Sequence, residues 1–300
     1  MLLVDFINEG VAALENVYPT KEARSIVMIL CEALLGTKNY THIIEPEYKI
    51  AKGKDKLLYE ALERLKKGEP IQYVTGKAEF CGVEFKVNPS VLIPRPETEL
   101  LCRKAIEVAS RIHRMRIPYG KNAEPVRILD LCSGTGCISW ILALAVPNSK
   151  VIGVDLSDEA LEVAKSQDFA TLLKERDCVA PTFVKADVLD WEQEFEYGPF
   201  DLILSNPPYI MESEKPTIRK NVVDYEPAMA LFVPDDDPLK FYKAIAKWST
   251  RFLSPEGFGM TEINSLLGNE TEQIMIDEGF SETEIIRDFY DKKRFITYKK

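Results

Sequence analysis

Short apolar runs alternate with amphipathic stretches of helical length throughout the part of the chain that follows Pro125. The runs of strand length are Arg127 to Leu131, Val151 to Asp155, Thr182 to Lys185, Asp201 to Ser205 and Phe258 to Ile263. This alternation is typical of an α/β fold, in which a doubly wound parallel sheet carries helices on both faces. Two closing runs, 284–287 and 294–298, predict a terminal hairpin that adds an antiparallel strand, so the sheet should be mostly parallel.

The first 75 residues have a different pattern. Their apolar residues recur at steps of three and four up to about residue 65, with interruptions at Pro19, Gly36 and Gly53, which predicts a small helical bundle. Short alternating segments then occupy residues 68–96 and indicate a β-hairpin connector.

These patterns predict three regions. They are a helical N-terminal domain over 1–75, a hairpin linker over 76–96 and an α/β domain over 97–300. The α/β domain is expected to begin with a helix over about 97–112, followed by a polar loop over 113–125.

Composition limits the functions that fit this chain. The six cysteines include no C-x-x-C pair, and the two histidines, His42 and His113, have no neighbours that suggest a metal site or a catalytic triad. We therefore expect no metal, and a reducing compartment, the cytoplasm, fits best. The acidic start of the chain and the absence of an apolar run of ~20 residues predict neither a signal peptide nor a membrane span.

The negative charge is unevenly distributed. The formal net charge is −10, yet residues 1–76 carry 11 acidic and 10 basic side chains, so nearly all of the excess lies beyond them. Duplex DNA would meet net repulsion there, although local basic patches can survive a negative total. A protein substrate is the easier interpretation, and we expect a monomer without a nucleic-acid substrate or a membrane partner.

A glycine-rich loop follows the first strand of the α/β region. The sequence from Asp130 reads DLCSGTGCI, and the next strand ends at Asp155. Glycines let backbone amides approach a ligand, and an acidic residue at the tip of the second strand can accept both hydroxyls of a ribose. This indicates a nucleoside-containing cofactor. Because Ser139 is a marginal match to the third glycine of a dinucleotide fingerprint, NAD and a plain tight turn both stay open on this motif alone.

The fourth strand runs directly into Asn206, Pro207, Pro208 and Tyr209. Ligands of open α/β sheets bind at the carboxyl ends of strands, so the tetrapeptide and the glycine loop should face one crevice. The prolines remove two backbone donors and leave a rigid rim of acceptors, the Asn206 side-chain oxygen and the Pro207 carbonyl oxygen. That rim suits a planar NH2 group, for which Tyr209 would form a flat wall. The alternative is a stiff turn after a strand.

Several separated motifs make the chain similar to the release-factor glutamine methyltransferases over nearly its whole length. They are PIQYVTG at 70–76, EF at 79–80, VLIPRPETELL at 91–101, NPPYI at 206–210, YEP at 225–227 and AL at 230–231. The ordered set is far more specific than Asn-Pro-Pro-Tyr alone, which also occurs in enzymes that methylate amino groups of DNA and RNA.

The resemblance implies a helical domain that helps to grip the release factor, a hairpin linker and a seven-stranded class I methyltransferase domain that binds S-adenosylmethionine. Carried over by position, the implied cofactor contacts are Cys132, Ser133, Gly134, Thr135, Gly136, Asp155, Asp187, Val188 and Asn206. The implied catalytic set, which would hold the glutamine, is Asn206, Pro207, Pro208 and Tyr209. Cys132 departs from the pattern, because many members have glycine there.

Other residues keep two interpretations each. Asp187 is either an adenine contact or an ordinary turn residue, and Trp191 either stacks on adenine or covers the loop. Arg95, Glu97 and Glu99 lie in a lid beside the cofactor or merely start a helix. Glu226 closes the loop that follows the tetrapeptide or acts as a base.

The main prediction is methyl transfer from S-adenosylmethionine to the side-chain amide nitrogen (N5) of the glutamine in the Gly-Gly-Gln loop of peptide chain release factors. The second hypothesis is an amino-methyltransferase for adenine or cytosine in nucleic acid, which would have to flip out its target base. The third is a cofactor-binding module that docks on a translation factor without chemistry.

Overall fold

The computed structural model describes residues 1–116, 124–288 and 290–300. The helices, in chain order, are α1 (Leu3–Leu14), α2 (Thr20–Leu35), α3 (Thr41–Ile44), α4 (Lys54–Lys66), α5 (Ile71–Thr75), α6 (Thr98–Arg116), α7 (Cys137–Ala145), α8 (Asp158–Lys165), α9 (Ala170–Arg176), α10 (Lys220–Tyr225), α11 (Lys240–Phe252) and α12 (Gly268–Asp277). Within the described ranges, none of the helices has the length and the apolar run that crossing a membrane requires.

The strands, in the same order, are β1 (Lys77–Phe80), β2 (Val83–Lys86), β3 (Val126–Leu131), β4 (Ser149–Asp155), β5 (Thr182–Lys185), β6 (Phe200–Ser205), β7 (Ile210–Met211), β8 (Phe232–Val233), β9 (Leu253–Glu262), β10 (Ser281–Arg287) and β11 (Lys293–Lys299). Residue contacts divide the chain into two units. The first comprises residues 1–77 and 218–225, and the second comprises 78–217 and 226–300. The sequence predicts three regions instead, and that division into three remains a prediction.

The first unit is the predicted helical bundle. Its helices bury one apolar core that includes Phe6, Leu14, Leu30 and Leu62. The predicted interruptions are confirmed, since Pro19 precedes α2, Gly36 ends it in the left-handed conformation and Gly53 precedes α4. Gly36 has φ +74°, a conformation that glycine adopts without a steric cost.

Helix α10 belongs to this first unit although it is distant from it in sequence. The Tyr225 hydroxyl donates to the Lys67 carbonyl oxygen over 3.0 Å, and Arg219 forms an ion pair with Glu22 at 2.8 Å. The apolar periodicity of the sequence carries no signal for this placement, because the partners lie more than a hundred residues apart.

The second unit is built on a seven-stranded sheet of order β10-β11-β9-β6-β3-β4-β5. Strands β5, β4, β3, β6 and β9 are mutually parallel, whereas β11 is antiparallel to both β9 and β10. The central strand β3 is buried on both faces, with Ile128 packed against α6 and α7 and Leu129 packed on the side of α11. The structure thus confirms the predicted doubly wound, mostly parallel sheet and its closing antiparallel hairpin.

Two predicted boundaries were wrong. Helix α6 continues to Arg116, so residues 113–116 of the predicted loop are helical, while residues 117–123 of that loop lie outside the described residues. The last turn is held by Arg116, whose guanidinium donates to both carboxylate oxygens of Asp201 at 2.7 and 2.9 Å. Strand β9 starts at Leu253 rather than Phe258, because a bulge accommodates the intervening segment with its Pro255.

The connector differs in one detail from the predicted hairpin. It begins with the short helix α5, and the hairpin of β1 and β2 follows it. The hairpin is tied to the second unit by Gln167, whose side chain accepts from the backbone N–H of Lys86 and donates to its carbonyl oxygen, both at 2.9 Å.

Candidate functional site

One cleft lies at the carboxyl ends of β3, β4 and β6, and it encloses about 1020 Å³ with its open mouth included. The predicted site residues that line it are Cys132, Ser133, Gly134, Thr135, Asp155, Asp187, Val188, Asn206 and Pro208. Three others, Gly136, Pro207 and Tyr209, are not among its lining residues in the described chain, although each adjoins one that is. The glycine loop and the tetrapeptide therefore face one cleft, as predicted.

The loop between β3 and α7 turns sharply because alternate residues adopt left-handed backbone conformations. Cys132, Gly134 and Gly136 have φ values of +62°, +53° and +75°. A side chain at such a φ costs free energy, so the backbone at Cys132 is strained where a glycine would not be. At Gly136 a Cβ atom would also lie 2.7 Å from Cζ of Phe183, so both conformation and space require glycine there.

Asp155, at the tip of β4, faces this loop. Its Oδ2 accepts from the backbone N–H of Gly134 at 2.8 Å, and its Oδ1 accepts from the backbone N–H of Ser157 at 3.0 Å. Burial raises the pKa of the carboxyl, and these backbone hydrogen bonds partly oppose that rise. Each carboxylate oxygen has a further lone pair, so the two together can accept a pair of vicinal hydroxyls.

Two buried polar atoms near the loop have no hydrogen-bond partner among the described residues, Ser133 Oγ and Asp130 Oδ1. The other carboxylate oxygen of Asp130 accepts from both the backbone N–H and the hydroxyl of Ser139, at 3.1 and 2.7 Å. Ser139, the marginal third position of the dinucleotide fingerprint, thus serves to hold Asp130. Ser133 lines the cleft, and its unpartnered hydroxyl suits a polar ligand.

Asp187 and Val188 form the wall after β5. The Asp187 carboxylate accepts from the backbone N–H of Leu189 at 2.9 Å, so the residue does cap a turn, and it lines the cleft as well. Val188 is buried, and its carbonyl oxygen accepts from the indole of Trp248 at 2.9 Å. Trp191 packs on the buried cluster around α11 and is not among the described residues that line the cleft, which favours its covering role.

Asn206 follows β6 directly and has one described side-chain partner, Thr98. Its Nδ2 donates to Thr98 Oγ1 over 3.2 Å, and the Thr98 hydroxyl donates in turn to Glu262 Oε2 over 2.8 Å. The other Glu262 oxygen accepts from the Tyr209 hydroxyl at 3.0 Å. Both ends of the tetrapeptide are therefore anchored to one carboxylate at the end of β9.

Thr98 and Glu262 were missed by the sequence reasoning. A signal existed for Glu262, because it is an acidic residue at the carboxyl end of an apolar strand, the same position that identified Asp155. Thr98 lies within the motif at 91–101, but its residue type and position are those of an ordinary helix start. The lining residues Met229 and Phe241 also carried no motif that marked them.

Glu226 clamps the segment that precedes α6. Its buried carboxylate accepts from the backbone N–H of Ile93 at 3.1 Å and from the guanidinium of Arg95 at 2.6 Å. Both oxygens are thus engaged, which favours loop closure over the alternative that Glu226 acts as a base. Arg95 itself lines the cleft, whereas Glu97 lies 3.8 Å from Arg294 and is not among the described lining residues.

The electrostatics of the cleft favour a cationic or hydroxyl-rich ligand. Its charged lining residues in the described chain are Asp155, Asp187 and Arg95, and Arg95 is neutralised by Glu226. Elsewhere among the described residues, no group of three histidine, cysteine or acidic side chains is arranged to hold a metal ion.

Known proteins resemble this chain in both sequence and fold. Residues 123–292 match the methyltransferase domain family, and residues 5–76 match the PrmC N-terminal domain family. The release factor glutamine methyltransferase of Flavobacterium psychrophilum is 38% identical over 299 residues, which are 99% of this chain and 98% of the relative. The one of Bacteroides thetaiotaomicron is 35% identical over 285 residues, or 95% of each protein.

Among solved structures, the catalytic domain of hMettl16 superposes with a TM-score of 0.52 at 13% sequence identity, over 72% of this chain and 75% of that one. At this identity the likeness concerns the fold alone. Together with the seven-stranded sheet and the matched methyltransferase domain, it confirms the expected class I methyltransferase fold.

Proposed function

Because the chain belongs to the family of release factor glutamine methyltransferases, we propose that it transfers a methyl group from S-adenosylmethionine to the side-chain amide nitrogen of the glutamine in the Gly-Gly-Gln loop of a peptide chain release factor. The observation that carries the proposal is the orientation of Asn206. Its NH2 group is engaged by Thr98, which leaves its oxygen as an acceptor in the same cleft as Asp155.

The residues of the cleft fit S-adenosylmethionine. Asp155 has lone pairs for the two ribose hydroxyls, and Ser133 has a hydroxyl without a partner among the described residues. Gly134 has open space within 4 Å of the position where a Cβ would lie, so its backbone presents no obstacle to a ligand. Asp187 and Val188 would form the wall for adenine, and the acidic lining suits a sulfonium cation.

The chain's own contribution to the reaction is positioning. When bound, the cofactor supplies an electrophilic methyl group. An amide nitrogen is a weak nucleophile because its lone pair is delocalised, so the Asn206 oxygen and the Pro207 carbonyl oxygen would accept its two hydrogens and fix the nitrogen in line with that methyl. The prolines keep this rim rigid.

The site has no need of a strong base, because the methylated amide can release its proton to water or to a carbonyl oxygen. Tyr209 is unsuited to that role. Burial and the neighbouring Glu262 hold the pKa of its phenol well above the ordinary value, so it stays protonated and donates to Glu262. Its ring would form a wall for the planar glutamine amide beside Pro208, which lines the cleft.

A release factor is the proposed partner, and the helical unit is the proposed grip on it. The match of residues 5–76 to the PrmC N-terminal domain supports this assignment. A nucleic-acid substrate is the second candidate, disfavoured by the net charge of −10. A monomeric state and a cytoplasmic location remain predictions from the sequence.

The test is mass spectrometry of a purified release factor after incubation with this protein and S-adenosylmethionine, with peptide mapping across the Gly-Gly-Gln loop. We expect one added methyl group on the glutamine, and none when Asn206→Ala replaces the wild type while cofactor binding by calorimetry is retained. An unmodified loop together with a methylated oligonucleotide in a parallel reaction would overturn the proposal.

A further inference from the structure

Three side chains from distant parts of the chain form a hydrogen-bonded relay behind the tetrapeptide. Thr98 is the first residue of α6, Asn206 follows β6 and Glu262 is the last residue of β9. Thr98 lies in the middle, 2.8 Å from Glu262 Oε2 and 3.2 Å from Asn206 Nδ2. Thr98 and Glu262 are both buried, with exposed fractions of 2% and 1%, so the bond between them is shielded from water, whereas the Thr98–Asn206 bond lies at the wall of the cleft.

The ends of this relay are chemically different. Burial raises the pKa of Glu262, and the hydrogen bonds that its carboxylate accepts from the hydroxyls of Thr98 and Tyr209 oppose that rise by favouring the ionised form. An ionised carboxylate only accepts hydrogen bonds. The single hydroxyl proton of Thr98 is thereby committed to Glu262. The Thr98 oxygen can then act towards Asn206 only as an acceptor, and its partner must be the NH2 end of the amide.

We propose that Glu262 and Thr98 are positioning residues that set which end of the Asn206 amide faces the substrate. The two ends of an amide are nearly equal in size, so packing alone does not choose between them. The relay makes the choice through the direction of its hydrogen bonds, and it holds Oδ1 as the acceptor. The inference rests on the proposed function, since it is an NH2 substrate that needs an acceptor at this point.

A flipped Asn206 would be harmful to catalysis. Its NH2 group would then meet the NH2 group of the substrate, donor against donor, and one hydrogen of the reacting nitrogen would lose its partner. Glu262 also holds the Tyr209 hydroxyl, so the same carboxylate aligns both ends of the tetrapeptide. If the relay had only a structural role, loss of one of its hydrogen bonds would lower the stability of the protein but would not specifically lower turnover.

Isosteric variants separate these two roles. Thr98→Val removes the hydroxyl and keeps the shape, Thr98→Ser keeps the hydroxyl, and Glu262→Gln keeps the shape but adds a donor that can reverse the relay. A matched control is Thr271→Val in α12, where an equally buried threonine hydroxyl donates to the Leu267 carbonyl oxygen at 2.8 Å.

We expect Thr98→Val and Glu262→Gln to lower kcat by about 10-fold to 100-fold, less than the direct loss of a transition-state hydrogen bond costs. The KM for S-adenosylmethionine should change less than about three-fold, Thr98→Ser should recover most of the turnover, and Thr271→Val should keep it. Wild-type kcat in folded Thr98→Val, or an equal loss in Thr271→Val, would overturn the proposal.

A second readout does not depend on turnover. In protein labelled with ¹⁵N-asparagine, the side-chain NH2 signal of Asn206, assigned by its loss in Asn206→Ala, should shift in Thr98→Val and return towards its wild-type position in Thr98→Ser. An unchanged signal in Thr98→Val refutes the relay whatever the substrate is. If the signal shifts as expected but wild-type protein leaves the release factor unmethylated, the proposed function fails while the hydrogen-bond assignment stands.

Discussion

The backbone N–H of Gly134 donates to the carboxylate of Asp155 over 2.8 Å, which joins the loop after β3 to the tip of β4. The glycine that lets the loop turn and the acidic residue proposed for the ribose are therefore one structural unit. A change in the carboxylate affects both the ligand contacts and the shape of the loop.

Asp155→Asn should weaken binding of S-adenosylmethionine. The amide can accept through only one atom, and a hydrogen bond to a charged group is worth about 1.5–3 kcal/mol, so we expect the Kd to rise by about 10-fold to 100-fold. Isothermal calorimetry measures this directly. Asp158→Asn, an equal change of charge at an exposed position in α8, is the control and should leave the Kd within about two-fold. Equal losses in both variants would contradict the assignment of the ribose site.

Gly136→Ala should destabilise the fold more than Gly134→Ala. Both residues have positive φ, and the left-handed conformation costs an alanine about 1 kcal/mol. At Gly134 the new methyl group meets open space, whereas at Gly136 it lies 2.7 Å from Phe183 and 3.0 Å from Ala164, which adds about 1–3 kcal/mol of overpacking. Urea unfolding measures the free energy of unfolding of each variant. Similar values for the two variants would show that Phe183 can move at little cost to make room for the new methyl group.

Asp130 should make stability fall as pH rises. Burial raises the pKa of its carboxyl to about 7, with a small further rise from Asp155, while the hydrogen bonds from Ser139 oppose the shift. The pKa of an aspartate in the unfolded chain is about 4. Between pH 4 and pH 7 the folded protein therefore keeps a proton on Asp130 that the unfolded chain has released. The stability present below about pH 4 is therefore lost as pH rises through 7, by up to about 1.4 kcal/mol per pH unit.

The measurement for Asp130 is a series of urea unfolding curves from pH 4 to 8 for wild-type protein and Asp130→Asn. The asparagine cannot ionise, so the stability difference should grow in its favour with rising pH and level off above about 7. A difference that is independent of pH would mean that Asp130 is ionised throughout the range.

Glu226→Gln should loosen the segment that Glu226 clamps. The substitution removes the ion pair with Arg95 and weakens the hydrogen bond from Ile93, and Arg95 lines the cleft. We expect faster amide hydrogen exchange over residues 91–97 and weaker cofactor binding, by about five-fold to 20-fold. The control is Glu212→Gln, which breaks an exposed pair with Lys215 worth under about 1 kcal/mol. Unchanged amide hydrogen exchange over residues 91–97 would show that the contacts of Glu226 are not what holds this segment in place.

The sequence predicts the elements whose structure is local and whose burial is strong. Strand β5 lies at Thr182–Lys185 as predicted, and Asp155 and Asn206 lie at the strand ends where a ligand was expected. Both faces of the central strands are covered, so their apolar runs stand out against the polar turns. The family expected from the separated motifs is confirmed by the two bacterial relatives.

Features that depend on contacts between residues far apart in the sequence could not be predicted from local apolar patterns. Thr98 and Glu262 meet across 164 positions of the sequence, and the last described turn of α6 is joined to β6 by an Arg116–Asp201 pair that spans 85 positions. Neither pair produces a period, a run or a motif, because each residue is ordinary in its own segment. Their partners become visible only when the sheet brings the strand ends together.

Helix α10 has a consequence for the order in which this chain can fold during synthesis. The helices of residues 1–77 emerge from the ribosome first, but the segment 218–225 that completes their unit follows about half a chain later. At about 5–20 residues per second, the bundle waits many seconds with the docking positions of Tyr225 and Arg219 unfilled. Its last element can be added only after β3 to β6 of the sheet have been synthesised.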